Sequence, residues 1–496
     1  MFFNWQITTN PRLAAITSRL RLRFSDCFPR AVFLAVLSSL VISRPASLAA
    51  EALGWDFQPY RIQAALAIDL PGGLVEEMSE EIPRYLDERA RSAIGPLWSF
   101  DVKVVAGVTR QLVLTQVATL SAAPPADLPA GGDKLLLLVV RGTPGGYELI
   151  AREYDRFIER WGMPVRGECG QLQSLPEHFF ALVWQAVAPL AQFEVDPNDA
   201  NRVLLKPRGG ALPRGSGTPS WAESGDVFLP ILRRTSRGGA LVDDGIRPVP
   251  WTYIEALQNE DGTIVGRVHS ASRRPFGARR QGRVEQLAIG LRADPAPTIV
   301  RFHSRTTAEK PLVGYEVYAQ NAGEDALTRV GVSDRHGTLS ISPGKTRVQF
   351  LLVKSGGQLL AKLPIVPGAD AEVAVPLPDD DVRLVAEARL AALREDLIDV
   401  VARRNILMAR ARQKIEKRDY DAAQEMLRAL DELPGRSQFN LTLTTTARQF
   451  RSNDPQIQRR IDQLFQATQT LLTQFLDVRP INQLHDELRA ARQKKT

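Results

Sequence analysis

Tyr60–Asp69 (YRIQAALAID), then Pro71-Gly72-Gly73, then an apolar stripe from Leu74 to about Ile94: this order decides how the chain begins to fold. Ile62, Ala64, Leu66 and Ile68 alternate, as the inward face of a strand does. Pro71-Gly72-Gly73 breaks the strand, and Leu74, Met78, Ile82, Leu86 and Ala90 recur at spacing four, which predicts an amphipathic helix. Phe100–Ala106 and Leu135–Arg141 (LLLLVVR) read as further strands, and Gly145-Gly146 turns the second into Tyr147–Tyr154 as a hairpin. Phe179–Phe193 is a second predicted helix and Asn201–Pro207 a closing strand. Residues 51–211 are therefore expected to form an α/β domain.

The 496 residues are too many for one ordinary core, and composition divides the remainder of the chain. Residues 212–224 (LPRGSGTPSWAES) read as a linker. Residues 225–292 carry short strand patterns, with Asp243-Asp244-Gly245 as a turn and Asn259-Glu260-Asp261-Gly262 as a hairpin signature between Pro250–Leu257 and Thr263–Val268. That length suits a small SH3-like β-barrel. Strands are expected in 295–378 near Thr298–His303, Gly314–Ala319, Thr338–Ile341 and Arg347–Val353. From residue 381 to 496 the pattern is helical. Leu390, Leu393, Leu397, Val400, Ile406 and Leu407 form one stripe, Asp419–Leu433 a second helix, and Asp454-Pro455 a capped start to a third. A last short helix is expected over Ile481–Gln493. The predicted class is multidomain α+β: an N-terminal α/β domain, a small SH3-like β module, a β-sandwich and C-terminal helical hairpins.

The order Pro311–Val317, Val332–Ile341, Arg347–Val353 and Ser355-Gly356-Gly357 resembles the carboxypeptidase-regulatory-like (transthyretin-like) β-sandwich module. The resemblance covers about 295–378 only. It implies that Asp334 and Gly337 form a turn, Asp bonding its own backbone and Gly taking positive φ. Modules of that family are generally non-catalytic spacers or interaction domains, so the resemblance carries over no active-site residue. Ala319–Arg329 is an insertion relative to the short form of the module.

Residues 1–49 read as an export signal. Six arginines and one Asp precede or flank Ala31–Ile42 (AVFLAVLSSLVI), whose twelve residues would span about 18 Å as a helix, short of a hydrocarbon core of roughly 30 Å. Small residues at Ala46–Ala50 suit cleavage. Of the formal net charge of +7, this segment holds +5. The remainder is uneven: −9 over 50–200, +6 over 201–300, zero over 301–380 and +5 over 381–496. Only two cysteines are present, and removal of Cys27 with the signal would leave Cys169 alone, unable to form an internal disulfide. The chain has no run of 18 apolar residues, so no membrane span is expected after signal removal.

The candidate chemistry is sparse. Ser342-Pro343-Gly344-Lys345-Thr346 lacks the earlier glycine of a phosphate loop and sits between strands, so a β-turn is expected. The five histidines show no metal spacing, and neither a metal nor a cofactor is expected. Cys169 with His178 could form a nucleophile–base pair, and an unpaired exported thiol could instead link two copies. Glu153 and Asp155 share one strand face, with Arg152 and Arg156 as the expected ion-pair partners.

The strongest charge signal is Arg267, Arg273, Arg274, Arg279, Arg280 and Arg283, with no acid from Gly262 through Val284. This arginine cluster is the expected binding element for an anionic envelope polymer or an acidic protein surface, including the acidic head of another copy as a homo-oligomer. An exported chain with only Phe276 interleaved is not expected to take nucleic acid. Trp251 and Tyr253, two apart, offer a shared stacking face for polysaccharide. The sequence thus points to an exported, periplasmic or envelope, non-enzymatic scaffold or interaction protein. The alternatives are an exported hydrolase with its site in 51–211 and an envelope polysaccharide binder.

Overall fold

The computed structural model describes residues 54–213, 222–236, 238–260, 262–277, 283–307 and 310–493. The signal segment and the 214–221 part of the linker lie outside the described residues. The described chain is mixed α+β, with four sheets, one of them closed into a barrel, and a run of C-terminal helices.

Six strands and three helices build the first layer. Strand β1 (Tyr60–Asp69) leads through the Pro71–Gly73 turn into helix α1 (Leu74–Arg89), which ends in a π turn to Ile94. β2 (Trp98–Val104) and β3 (Lys134–Thr143) flank β1 in parallel. β4 (Gly146–Asp155) returns antiparallel to β3 as the expected hairpin, and β5 (Arg160–Trp161) and β6 (Val165–Cys169) both pair with β4. Ile62, Leu66, Leu136 and Leu138 face α1 and α3 (Leu175–Ala186), where they meet Met78, Ile82, Phe179 and Val183. Ala65, Ala67, Leu135 and Leu137 face the other way onto α2 (Gly107–Gln116). Leu135–Val140 is uninterrupted in hydrophobicity because both faces of its strand are covered. Helix α2 is absent from the sequence expectations: its Val and Thr content favours strands locally, and tertiary burial of Val113 and Leu114 overrides that preference.

β7 (Leu190–Val195) and β8 (Arg202–Pro207) belong to the next layer. They close a six-stranded antiparallel barrel with β9 (Val227–Thr235), β11 (Thr252–Glu260), β12 (Thr263–Ser270) and β13 (Arg283–Gly290) in the order β9-β11-β12-β8-β7-β13. β10 (Leu241–Pro248) adds alongside β9. The barrel is therefore not confined to 225–292: two of its strands precede the linker, because 225–292 alone cannot complete the ring. Its interior holds Phe193, Val203, Leu205, Phe228, Ile254 and Val268. Gly266 lies there because a Cβ would come within 2.5 Å of the Ile254 side chain. The outer residues Leu190, Ile231 and Leu287 join the core of the first layer.

The sandwich pairs β14 (Thr298–Ser304), β17 (Thr338–Ile341) and β20 (Glu372–Leu377) against β15 (Glu316–Asn321), β16 (Thr328–Val332), β18 (Gln349–Ser355) and β19 (Gln358–Ile365). The Ala319–Arg329 insertion makes the β15–β16 hairpin. Gly337 has φ of 73°, and Asp334 Oδ1 accepts from His336 N and Thr338 N at 2.9 and 2.8 Å, the expected turn. Helices α4 (Asp381–Glu416), α5 (Tyr420–Asp431), α6 (Arg436–Gln449), α7 (Pro455–Phe475) and α8 (Arg479–Gln493) follow. Leu390, Leu397, Ile457 and Ile461 share one core with Val300, Val317 and Leu351 of the sandwich, so helices and sandwich pack as one body. Asp454 caps α7 by accepting from Gln456 N, and Arg305 holds the same carboxylate at 2.5 and 2.6 Å.

First layer and barrel are joined by a polar clasp. Lys134 Nζ, fully buried, bonds Glu153, Asp155 Oδ2 at 2.8 Å and Ala188 O at 2.9 Å. Glu153 Oε2 accepts from Ala188 N at 2.5 Å, and the Tyr60 hydroxyl bonds Leu190 N and O at 2.9 and 3.2 Å. Burial opposes the Lys134 charge, but Asp155 and Glu153 outweigh it and hold the ammonium above the ordinary lysine range. Burial, which Lys134 offsets only in part, raises the Glu153 carboxyl, the excess acid of the trio. The raised lysine pKa contributes stability below the unfolded value, and this is lost as pH rises through the folded one. Replacing Lys134 by Met leaves two buried carboxylates uncompensated. It should cost about 3–5 kcal/mol in urea unfolding at neutral pH. Because the raised Glu153 carboxyl takes up a proton more readily once Lys134 is gone, the deficit should be smaller at pH 5 than at pH 8, and a deficit independent of pH would contradict the clasp.

Candidate functional site

The barrel wall carries a groove of about 580 Å³ lined by Asp199, Arg202, Arg267, His269, Arg273 and Phe350, among others. Three antiparallel strands bring its parts together: Arg267 on β12 stands opposite Arg202 on β8 and Glu255 on β11. Glu255 does not neutralise Arg267. Its Oε2 is bonded to His269 Nε2 at 2.8 Å, while Arg267 itself is exposed. Arg202 reaches Asp196 only at 3.9 Å, with half of its side chain exposed. The loop after β12 is shaped by Ala271 N donating to Trp251 O (3.0 Å) and Ser272 N donating to Ser270 Oγ (3.0 Å), which sets Arg273 on the rim. Phe350 on β18 closes the far wall, edge-on to His269 at 5.8 Å. The groove therefore gathers three cations on one wet surface, an arrangement that attracts extended anions and gains little from any single contact.

Of the six arginines singled out in the sequence, Arg267 and Arg273 line this groove, and Arg274 is exposed one residue further along its rim. Arg283 is exposed at the start of β13, and Arg279 and Arg280 lie outside the described residues. Phe276 is not a free platform; its ring packs on Phe193 of the barrel interior at 4.9 Å. Arg202, His269 and Phe350 were not singled out. Arg202 sits in the alternating NRVLLKP strand, where barrel closure brings it beside Arg267; Phe350 arrives from the sandwich, and local sequence carries no sign of it.

Trp251 and Tyr253 do not make a shared stacking face. Strand β11 begins at Thr252, and Trp251 precedes it in a left-handed turn (φ 48°) that aims its ring at the sandwich–helix core. Tyr253 packs against the first-layer core, and burial, with Asp370 adding and Arg160 opposing, pushes its hydroxyl pKa up to about 12. The two rings serve different cores.

The polar residues of the first layer are also resolved individually. Glu153 and Asp155 do share a face, but their partner is Lys134 on the neighbouring strand and not the flanking arginines. Arg152 donates instead to Gly162 O and Val117 O, and Arg156 to Pro129 O. Cys169 is buried, with Sγ 3.0 Å from Gln171 O and 3.3 Å from Ser174 Oγ. His178 is exposed, and its Nδ1 faces Ser174 O at 2.8 Å. His303 and His336 bond separately, to Ser304 O and Arg335 Nε. Among the described residues no three His, Cys, Asp or Glu side chains converge as a metal site, and no helix is long and apolar enough to cross a membrane.

No family model matches the chain, so none supports the carboxypeptidase-regulatory-like resemblance, and no curated protein matches it. Solved structures that align with it include TolB and a pilin subunit. TolB from Acinetobacter baumannii has a TM-score of 0.16 and 8% identity, over 62% of this chain and 83% of TolB. BcpA, the major pilin subunit of Bacillus cereus, has a TM-score of 0.13 and 10% identity, over 50% of this chain and 71% of BcpA. At such scores neither defines the fold.

Burial of Cys169 has a direct chemical consequence. In the full chain carrying Cys27→Ser, the remaining thiol should resist an aromatic disulfide reagent in the native state and react stoichiometrically once unfolded in guanidinium. Prompt native labelling would contradict the position of Sγ beneath Gln171 and Ser174.

Proposed function

We propose that the chain is an exported, non-enzymatic protein of the cell envelope whose barrel groove docks an anionic envelope polymer. The carrying observation is the convergence of Arg202, Arg267 and Arg273 on one groove, with Arg274 beside them and no acid from Gly262 through Val284. Multiple exposed cations along a trough suit a repeating anion: each contact is weak and exchangeable, and their sum is strong at low ionic strength. The rest of the molecule supports the trough in a fixed shape. One wall belongs to the barrel and the other, Phe350, to the sandwich, whose core is continuous with the helices.

A scaffold reading also accounts for the polar residues of the first layer. Glu153 and Asp155 are committed to Lys134 and to the backbone at Ala188, Phe157 and Ile158, which is a structural role. Export rests on the signal-like pattern of residues 1–49. A polymer is favoured over an acidic protein partner because the groove exposes three cations, while its large apolar lining residues Leu257, Val268 and Phe350 are buried or half-buried.

The test is retention of the full chain on isolated cell envelopes, at low and high salt. The parent should be retained at about 20 mM salt and released above about 0.5 M, where screening falls to a few ångströms. The triple change Arg202→Ser, Arg267→Ser, Arg273→Ser should reduce low-salt retention about tenfold or more without altering thermal unfolding. Retention that survives in the triple variant would overturn the reading. Loss of retention after protease treatment of the envelopes would replace the polymer by a protein partner.

A further inference from the structure

A second basic cleft, of about 770 Å³, opens where the first layer, the end of the barrel and the sandwich meet. Three separate parts of the chain supply its cations. Arg166 comes from β6, Arg292 from the segment just after β13, and Lys345 with Arg347 from the turn joining β17 to β18. Trp184, on α3, adds an aromatic wall, and Asp294 is the one acid on the lining.

The positive charge is only partly answered. Arg347 pairs with Asp226 at 2.8 Å, and Arg166 reaches Glu148 only at 3.8 Å. Asp294 Oδ1 is occupied by Ala296 N at 2.9 Å. Lys345 is exposed and has no ion pair among the described residues. Arg292 is the most telling group. Its Nε is buried without an acceptor. Other arginines with such an Nε, including Arg156, Arg208, Arg233 and Arg394, bond through a terminal nitrogen, whereas Arg292 has no side-chain hydrogen bond among the described residues. Burial lowers its pKa, Asp226 opposes that, and repulsion from Arg347 adds to it. Arg292, half-buried with its Nε lacking an acceptor, shares the cleft lining with Arg347, which Asp226 already pairs, and an anion received there would satisfy the unpaired guanidinium.

The turn that presents Lys345 is held rigidly. Thr346 Oγ1 donates to Val348 O at 2.7 Å and accepts from Ala322 N at 3.3 Å, and Gln349 Nε2 donates to Ser342 O at 3.3 Å. A Cβ on Gly344 would collide with Gln349 Nε2, so the turn packs down onto the strand behind it. The Ser342–Thr346 stretch is thus no phosphate loop by sequence, yet its lysine stands on the wall of a cationic cleft.

We propose that this cleft binds a phosphate ester, the phosphate lying between Arg292 and Arg347 and its organic part against Trp184. Planar guanidiniums suit a tetrahedral oxyanion, and the half-buried indole of Trp184, whose ring also packs against Trp98 at 5.4 Å, gives the cleft an apolar border that suits a ring or chain. The site is separate from the barrel groove, shares no lining residue with it and does not depend on the docking proposed there.

The experiment is calorimetric titration of the full chain with inorganic phosphate, glucose 1-phosphate, glucose and phosphatidylglycerol vesicles. Glucose 1-phosphate or the vesicles should bind more tightly than inorganic phosphate, glucose should not bind, and whichever ester binds identifies a sugar or a lipid source. Arg292→Gln should weaken that binding about tenfold while leaving the ligand-free melting temperature equal or higher, because it removes an unpaired partly buried charge. A residue supporting only the fold would instead lower that temperature. Lys345→Gln, on an exposed turn, should weaken binding about threefold. Equal binding by the parent and Arg292→Gln, or no binding of either ester at about 10 mM, would overturn the proposal.

Discussion

A lysine with no access to water governs the centre of this molecule. Lys134 stands at the start of β3, and its charge can be buried only because β4 returns in a register that sets Asp155 and Glu153 against it. Those carboxylates in turn require donors, which the backbone at Phe157, Ile158 and Ala188 provides. Ala188 to Leu190 is the passage from α3 into the first barrel strand, and Tyr60 grips its other end. Satisfying one buried ammonium therefore fixes a hairpin, a turn and the point where the barrel departs. A second contact is built alike: Arg208, at the end of β8, bonds Asp133 and Pro59 O beside the edge of β1. Such polar clasps add less net stability than apolar packing would, but their alternatives are costly, so they specify one arrangement.

Shared carboxylates also tie the sandwich to the helices. Arg305 of the sandwich and the cap of α7 share the Asp454 carboxylate, and Arg383 of α4 bonds Asp380 and Ser355 O. Hydrogen bonds from Arg305 hold the Asp454 carboxyl below the usual range despite its burial, so this contact lends stability above the unfolded pKa and loses it in acid. With a continuous apolar core behind them, sandwich and helices act as a stiff support for the surfaces they present.

Local pattern was enough where one periodicity dominated. Ile62 to Ile68, the stripe from Leu74, the Gly145-Gly146 hairpin, the Asp334–Gly337 turn and the Asp454 cap all lie in the structure as their residues imply. What was hidden depends on distance along the chain. Nothing near Lys134 marks it as a buried ion, since Glu153 lies 19 residues away, and two arginines adjacent to the acids look like better partners. The barrel escapes a linear reading because β7 and β8 are separated from its other strands by the linker. Both grooves are products of closure: Arg202 comes opposite Arg267, and Arg292 comes to line one cleft with Arg347, only once the layers are assembled.

An anionic polymer should be received in the barrel groove and not at Glu153, Cys169 and His178 of the first layer. Hydrogen–deuterium exchange of the full chain, with and without a carboxylated polysaccharide such as polygalacturonate at low salt, measures this directly. Exchange should slow in peptides covering 199–202 and 266–274, with 148–178 unchanged. Protection confined to 148–178, around Glu153, Cys169 and His178, would contradict the claim and return attention to an enzyme site there.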